Sequence, residues 1–174
     1  MDLITLIRSK RAHVDRLSSQ HGIAGETAAI VQDGTWLPRP KGPALRTLMA
    51  ALEADGTPIK PSSFDAIAVP ADLRIDLMDP GTVKAGLSRL TFVEIKTANQ
   101  PRVRDDFSNY FFALTENEIE AAAILGPRHC VALFNKISGR MLITSVPQLL
   151  ARARSTTWQV SIQLESFAPR ARCI

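Results

Sequence analysis

The sequence predicts an α/β fold in which helices flank a mixed central β-sheet. Three observations support this fold class: helical and strand periodicities alternate along the chain, the composition is globular, and 174 residues are enough for one core. Hydrophobic residues make up 45% and charged residues 22%, and no low-complexity tract interrupts them. We therefore expect one compact domain, with a helical N-terminal part, residues 1–60, packed on a core formed by residues 61–168.

Periodicity and turn signals predict the elements in order. Three prolines and two glycines predict a loop over residues 34–43, and Asp79-Pro80-Gly81 is a strong turn signal in a connection with room for an extra strand, residues 73–77. Thr115 and Glu118 have the spacing of a capping box, which predicts a helix start. The resulting elements are helices near residues 3–17 and 44–54, strands at 64–69 and 90–97, a helix from Thr115 to Gly126, strands at 129–134 and 141–144, a helix over 146–154 and a strand near 158–164.

Glu94 and Lys96 interrupt an otherwise β-forming run, residues 92–97. Side chains two residues apart on a strand point to the same face, so an acid and a base are displayed side by side while Val93 and Ile95 enter the core. An isolated pair of this kind is more often a surface salt bridge than part of a catalytic site. The pair alone therefore does not predict chemistry.

Asp65 adds a third charged residue, in the preceding strand. It interrupts a buried segment, where a carboxylate requires a cation or a metal as its partner. If the two strands pair, Asp65 and Glu94 converge on one oxygen-rich point with Lys96 alongside. Carboxylates, backbone carbonyls and waters are the ligands that Mg²⁺ prefers. The three residues together therefore predict a magnesium site.

Asp65 followed by Glu94-Ile95-Lys96 resembles the PD-(D/E)xK nuclease superfamily, which includes type II restriction enzymes and repair nucleases. Further along, residues 111–119 lead into an alanine-rich helix and then a strand. This arrangement resembles the nuclease-like domain at the C-terminus of the plant NO VEIN protein and in bacterial restriction-associated proteins. The resemblance covers residues 62–164, and it departs from the superfamily in having Ser63-Phe64 where a proline often precedes the first acid.

The resemblance implies a restriction-endonuclease-like fold and a DNA endonuclease that depends on Mg²⁺, with Mn²⁺ as an alternative ion. It implies that Asp65, Glu94 and the carbonyl of Ile95 hold the metal. Lys96 would orient the attacking water or help to deprotonate it, and would offset charge that develops on the transition state. The enzyme would belong to a restriction or defence system.

The resemblance also implies contacts outside these four residues. Many superfamily members have a further acidic ligand on the helix before the first acidic strand, and the candidates for this metal ligand are Glu53 and, more remotely, Glu26. Phosphate contacts are expected just after the catalytic strand, in a loop that borders the cleft. The candidate DNA-binding residues are Arg102, Arg104, Gln100 and Thr97.

The charge of the chain favours a polyanionic partner such as DNA. It has 21 lysines and arginines against 17 acids, and its isoelectric point is about 9.4. No apolar run is long enough to span a membrane, and two cysteines without metal-site spacing fit a reducing cytoplasm. A homodimer or a larger restriction or defence assembly is a further expectation, because two-fold protein symmetry suits cleavage of both DNA strands.

Two alternatives remain open from the sequence. The first is a nuclease-fold module that no longer cuts and only binds DNA or a partner subunit. The second is a scaffold unrelated to nucleases, in which the Glu94 and Lys96 pair is accidental. The second alternative requires Asp65 and Glu94 to lie too far apart to share an ion.

Overall fold

The structure is a computed structural model and describes residues 24–153. Within this range a five-stranded mixed sheet is flanked by helices, so the predicted α/β class is confirmed. The strands lie in sequence order across the sheet, and β3 and β4 are parallel whereas the other neighbours are antiparallel. The strands are β1 Trp36–Pro38, β2 Ala66–Ala68, β3 Thr91–Ala98, β4 His129–Asn135 and β5 Met141–Thr144.

Five α-helices accompany the sheet within the described range. They are α1 over residues 24–33, α2 Gly42–Ala54, α3 Pro80–Gly86, α4 Glu116–Leu125 and α5 Val146–Arg152. Short 3₁₀ turns precede β2, β3 and β4 and are formed by Pro61–Ser63, Leu87–Arg89 and Gly126–Arg128. None of the helices in residues 24–153 is long and apolar enough to cross a membrane.

The capping box predicted at Thr115 forms, and a second one occurs at Ser145. The Thr115 side chain accepts a hydrogen bond from the Glu118 amide while the Glu118 side chain accepts one from the Thr115 amide. Ser145 and Gln148 make the same reciprocal pair at the start of α5. Each pair satisfies backbone amides that the first helical turn leaves free, so local sequence alone determines where these helices begin.

Two predicted segments differ from the structure. The sequence predicts a loop over residues 34–43, but Trp36–Pro38 forms the edge strand β1, where Pro38 is tolerated at a position that needs no ladder donor. The sequence also predicts a loop or strand between β2 and β3, but this connection contains α3. Asp79 caps α3 by accepting from the Gly81 and Thr82 amides, and Pro80 occupies the first helical turn. Asp79-Pro80-Gly81 therefore begins a helix and does not form the predicted turn.

Some expectations fall outside the described residues. The helix predicted between residues 3 and 17 and the strand predicted near residues 158–164 both lie there. The sequence predicts an N-terminal part that ends at residue 60 and a core that follows it. In the structure, β1 of the N-terminal part pairs with β2 of the predicted core. The sheet thus includes residues from both sides of that division.

Both faces of the central strands are covered. Alternate residues of β3 point to opposite faces, and Val93 and Ile95 pack with Ala29 of α1 on one of them. Phe92 points to the other face and meets Phe64 edge-on, with ring centroids 5.1 Å apart. Because helices pack on both faces, charged residues in the middle of β3 are enclosed rather than exposed to solvent.

Helix α1 lies very close to β3. A Cβ atom added to Gly25 would overlap the Thr97 side chain, so glycine is the residue that permits this approach. The contact fixes the first turn of α1 near the C-terminal end of β3, and Glu26 follows directly.

Candidate active site

The candidate site lies where β2 begins beside the middle of β3. The Asp65 amide donates to the Val93 carbonyl at 2.8 Å, which extends the pairing of the two strands by one residue. The Asp65 side chain then accepts from the Ile95 amide through Oδ2 at 3.0 Å. The first carboxylate is thus anchored to the backbone next to Glu94, as the pairing of adjacent strands predicts.

Lys96 connects the second strand to α4. Its Nζ lies 2.8 Å from Oε1 of Glu94 and 3.0 Å from Oε1 of Glu118. The side chains of Glu94, Lys96 and Glu118 are only 7%, 15% and 5% exposed. Glu94 and Lys96 therefore share a strand face, as predicted. This face is buried against α4, so their ion pair is not a surface salt bridge.

The segment before Asp65 is held by neighbouring elements. Arg39 donates to the carbonyls of Pro61 and Phe64 at 3.1 and 3.0 Å. Asn117, in the first turn of α4, donates to the Ser62 hydroxyl at 2.9 Å. His129 lies 3.1 Å from the Ser63 carbonyl through Nε2, and since a carbonyl only accepts, Nε2 must be the donor. These contacts fix the position of Asp65 from three sides.

The Ile95 carbonyl faces the same edge as Asp65. In an extended strand the N–H and C=O of one residue point to the same side, and the Ile95 amide points to the Asp65 carboxylate. The Val93 carbonyl, two residues earlier, also points to this side because it accepts from the Asp65 amide. A backbone oxygen of Ile95 is therefore available beside the two carboxylates.

Burial disfavours the charged forms of Asp65 and Glu94. It raises the pKa of Glu94 to about 8, and the negative charge of Asp65 adds to the rise, while Lys96 opposes it. Burial also raises the pKa of Asp65, although the Ile95 amide and the charges of Arg39 and Lys96 act against the rise. A second positive charge at this point would relieve the repulsion between the two acids.

The pKa of Lys96 is raised. Burial acts to lower it, but the charges of Glu94 and Glu118 and their hydrogen bonds to Nζ outweigh burial. Lys96 is therefore a stable cation near neutral pH. It can donate hydrogen bonds and offset negative charge.

A divalent cation is compatible with this donor set. Oε2 of Glu94 is buried and has no hydrogen-bond partner, so one carboxylate oxygen is left for a further ligand. No group of three or more His, Cys, Asp or Glu side chains suited to a metal is found in residues 24–153. Mg²⁺ is commonly bound by one or two carboxylates and keeps several waters, so Asp65, Glu94 and the Ile95 carbonyl suit it.

The two glutamates considered as additional ligands occupy different places. Glu26 is half-buried on α1, and burial and the charge of Asp65 raise its pKa while Arg39 and Lys96 lower it. Glu53 is exposed near the end of α2. No hydrogen bond, ion pair or charge interaction described for residues 24–153 joins Glu53 to Asp65. Glu26 is therefore electrostatically coupled to Asp65, whereas Glu53 is an exposed residue of α2.

The residues proposed to contact DNA lie near the C-terminal end of β3 and just after it, since Thr97 belongs to β3 and Gln100, Arg102 and Arg104 follow it. Arg102 and Arg104 are exposed, and Arg102 donates to the exposed Gln100 side chain through Nε at 2.8 Å. Thr97 differs from them, because its hydroxyl is buried beneath Gly25 and has no hydrogen-bond partner in the described part of the chain. The two arginines and Gln100 are accessible to a phosphate, whereas the Thr97 hydroxyl is enclosed.

Sequence reasoning did not identify two residues that shape the site. It assigned Glu118 to the helix cap, but the same side chain also contacts Lys96. It did not consider Arg39, which holds the segment before Asp65. The capping pattern gave the position of Glu118, but only the packing of α4 on β3 shows its second contact.

No protein-family model, curated protein or solved structure matches the chain. The resemblance to PD-(D/E)xK nucleases therefore stays a prediction based on Asp65, Glu94, Lys96 and the segment that follows them.

Proposed function

We propose that the protein is a metal-dependent DNA endonuclease whose active site is formed by Asp65, Glu94 and Lys96. One observation carries the proposal. The Asp65 carboxylate, just before β2, accepts from the Ile95 amide and interacts electrostatically with Glu94 of β3, and the Lys96 ammonium lies 2.8 Å from Glu94. An accidental Glu94 and Lys96 pair on a surface strand would not require Asp65 to be hydrogen-bonded at its side.

The proposed site would use Mg²⁺, or Mn²⁺, held by Asp65, Glu94 and the Ile95 carbonyl. When bound, such an ion supplies a Lewis acid for a phosphate oxygen and lowers the pKa of water. The side chains at the site are suited to holding such an ion. The two acids bring oxygen donors, and the unpartnered Oε2 of Glu94 leaves one donor free.

Lys96 is the proposed cationic group of the reaction. Its ammonium is fixed by two carboxylates and so presents its charge at one place beside Asp65 and Glu94. There it would orient water for attack on phosphorus and stabilise the negative charge that develops on the phosphate oxygens. Water is the nucleophile: its oxygen bonds to phosphorus, its proton is released to solvent, and the ester P–O bond to the leaving nucleotide breaks, so no protein side chain needs to form a covalent bond.

The finer expectations belong to this proposal. The sheet and helices are compatible with a restriction-endonuclease-like fold, and a role in restriction or defence follows from the proposed family. Arg102, Arg104 and Gln100 would contact DNA phosphates next to the proposed site. A homodimer or a larger assembly would place two such sites on a duplex.

Cleavage of supercoiled plasmid DNA with and without Mg²⁺ tests the proposal. The panel should include methylated and unmethylated DNA, because a requirement for a modified target would otherwise hide activity. Wild type is expected to cut only with Mg²⁺ or Mn²⁺, and Lys96→Ala is expected to abolish cutting while circular dichroism shows an intact fold. Lys84→Ala, which removes an exposed lysine from α3, serves as the matched control and should cut normally.

Two outcomes contradict the proposal. Equal cleavage by Lys96→Ala and wild type would remove Lys96 from the site. DNA binding without cleavage of any DNA in the panel would favour the module that binds but does not cut.

A further inference from the structure

Glu118 is a buried carboxylate at a position where the helix requires only a hydrogen-bond acceptor. The other capping box of this chain demonstrates this, because Gln148 occupies the equivalent position of α5 and accepts from the Ser145 amide at 3.1 Å. Gln148 is exposed, whereas Glu118 is 4% exposed. Burying an ionised group is unfavourable without a charged partner, so the cap does not explain why this residue is a glutamate.

The two oxygens of Glu118 have separate partners. Oε2 accepts from the Thr115 amide at 2.9 Å, and Oε1 accepts from Nζ of Lys96 at 3.0 Å. A glutamine has only one oxygen, and its amide nitrogen would meet the Lys96 ammonium as donor against donor. Only a carboxylate can make both bonds at once.

The cap also makes Glu118 a rigid support. Its side chain is tied to the backbone of Thr115, and α4 is joined to the segment before Asp65 through Asn117 and Ser62. Glu94, the other partner of Lys96, is a proposed metal ligand. Glu118 is therefore the partner that can remain bonded to Lys96 when Glu94 binds a metal.

We propose that Glu118 is a positioning residue that holds the Lys96 ammonium beside Asp65 and Glu94, and that this task explains the buried carboxylate in the cap. The effect on catalysis rests on the proposed nuclease function, but the contact between Glu118 and Lys96 does not depend on catalysis. Glu118 touches neither the water nor the phosphate in this scheme and acts only through Lys96.

The test compares Glu118→Gln with two controls. Glu118→Gln keeps an acceptor for the cap, as Gln148 does, and removes the support of Lys96. Glu116→Gln removes a charge from the same helical turn at an exposed position, and Thr115→Ala weakens the cap but keeps the Glu118 carboxylate. Glu118→Gln should lower kcat for DNA cleavage about 100-fold with little change in KM, because misplacement of a catalytic group affects the chemical step.

A second readout does not depend on activity. In the metal-free protein, NMR relaxation of the Lys96 Cε group reports how firmly the ammonium is held, and the chain has only six lysines to distinguish. Glu118→Gln is expected to increase the motion of Lys96, while Glu116→Gln and Thr115→Ala leave it ordered. If Glu118→Gln does not fold, Glu118→Asp replaces it, since the shorter acid cannot span both partners.

The outcomes separate this inference from the proposed function. Greater motion of Lys96 in Glu118→Gln supports the positioning role even if wild type cuts no DNA, in which case only the nuclease proposal fails. Unchanged motion of Lys96 overturns the positioning role. If wild type is active, an unchanged kcat in Glu118→Gln also overturns the positioning role. An equal loss of kcat in Thr115→Ala overturns it too, because the effect would then come from the cap.

Discussion

Replacing Glu94 by glutamine should stabilise the metal-free protein at alkaline pH. The pKa of Glu94 is raised from 4.5 to about 8 in the folded chain, first by burial and then by the charge of Asp65. Between these two values the unfolded chain has lost the proton of Glu94 and the folded chain still carries it. The free energy of unfolding therefore falls as pH rises through this interval, and the penalty is complete above about 8.

The size of the effect follows from the same two pKa values. One pH unit corresponds to about 1.4 kcal/mol, so the interval amounts to a destabilisation of about 5 kcal/mol as an upper value. Glutamine removes the ionisation and keeps an oxygen for the Lys96 ammonium. Glu94→Gln should thus match wild type at acid pH and exceed its free energy of unfolding by several kcal/mol at alkaline pH, on the order of the whole stability of many domains.

Urea denaturation followed by circular dichroism measures this difference. The titrations run in the presence of a chelator from below pH 4.5 to above pH 8, with Glu116→Gln as the exposed control. The predicted result is a stabilisation by Glu94→Gln that grows with pH and that Glu116→Gln does not reproduce. A difference that does not change with pH, or a loss of stability in Glu94→Gln at alkaline pH, would refute the reasoning.

Three further predictions concern metal and DNA binding. Because a cation competes with the proton of Glu94, Mg²⁺ affinity measured by calorimetry should rise about tenfold per pH unit below about 8 and then level off, and a pH-independent affinity contradicts this. Glu26→Gln should weaken Mg²⁺ binding about tenfold, by loss of a charge beside the site, whereas Glu53→Gln should not; the reverse order would favour Glu53 as the ligand. Arg102→Ala and Arg104→Ala should each weaken DNA binding and reduce the salt dependence of log K by about one, and an unchanged slope removes the residue from the DNA surface.

Elements with strong local signals were predictable from sequence. Thr115 and Ser145 define the starts of α4 and α5, because the caps depend on residues three positions apart. The edge strand β1 depends instead on pairing with β2, which three residues of sequence do not encode. Helix α3 shows a different limit, since Asp79-Pro80-Gly81 suits both a turn and a helix start, and the packing of the segment decides between them.

The site was predictable in part for a similar reason. Asp65 and Glu94 come together because neighbouring strands in the sequence pair in the sheet, which is a common and local arrangement. The burial of Lys96 and its contact with Glu118 depend on how α4 crosses over β3, and no spacing in the sequence reports that distance. The position of Glu26 likewise depends on the close approach of Gly25 to Thr97.

The most direct test of a metal held by Asp65 and Glu94 is the position of bound Mn²⁺ in crystals, found from its anomalous scattering. The predicted result is a single strong peak in contact with the carboxylates of Asp65 and Glu94 and with the Ile95 carbonyl, lost in Asp65→Asn. A peak elsewhere, or an empty site with Lys96 still paired to Glu94 at saturating Mn²⁺, would contradict the proposed metal-dependent nuclease.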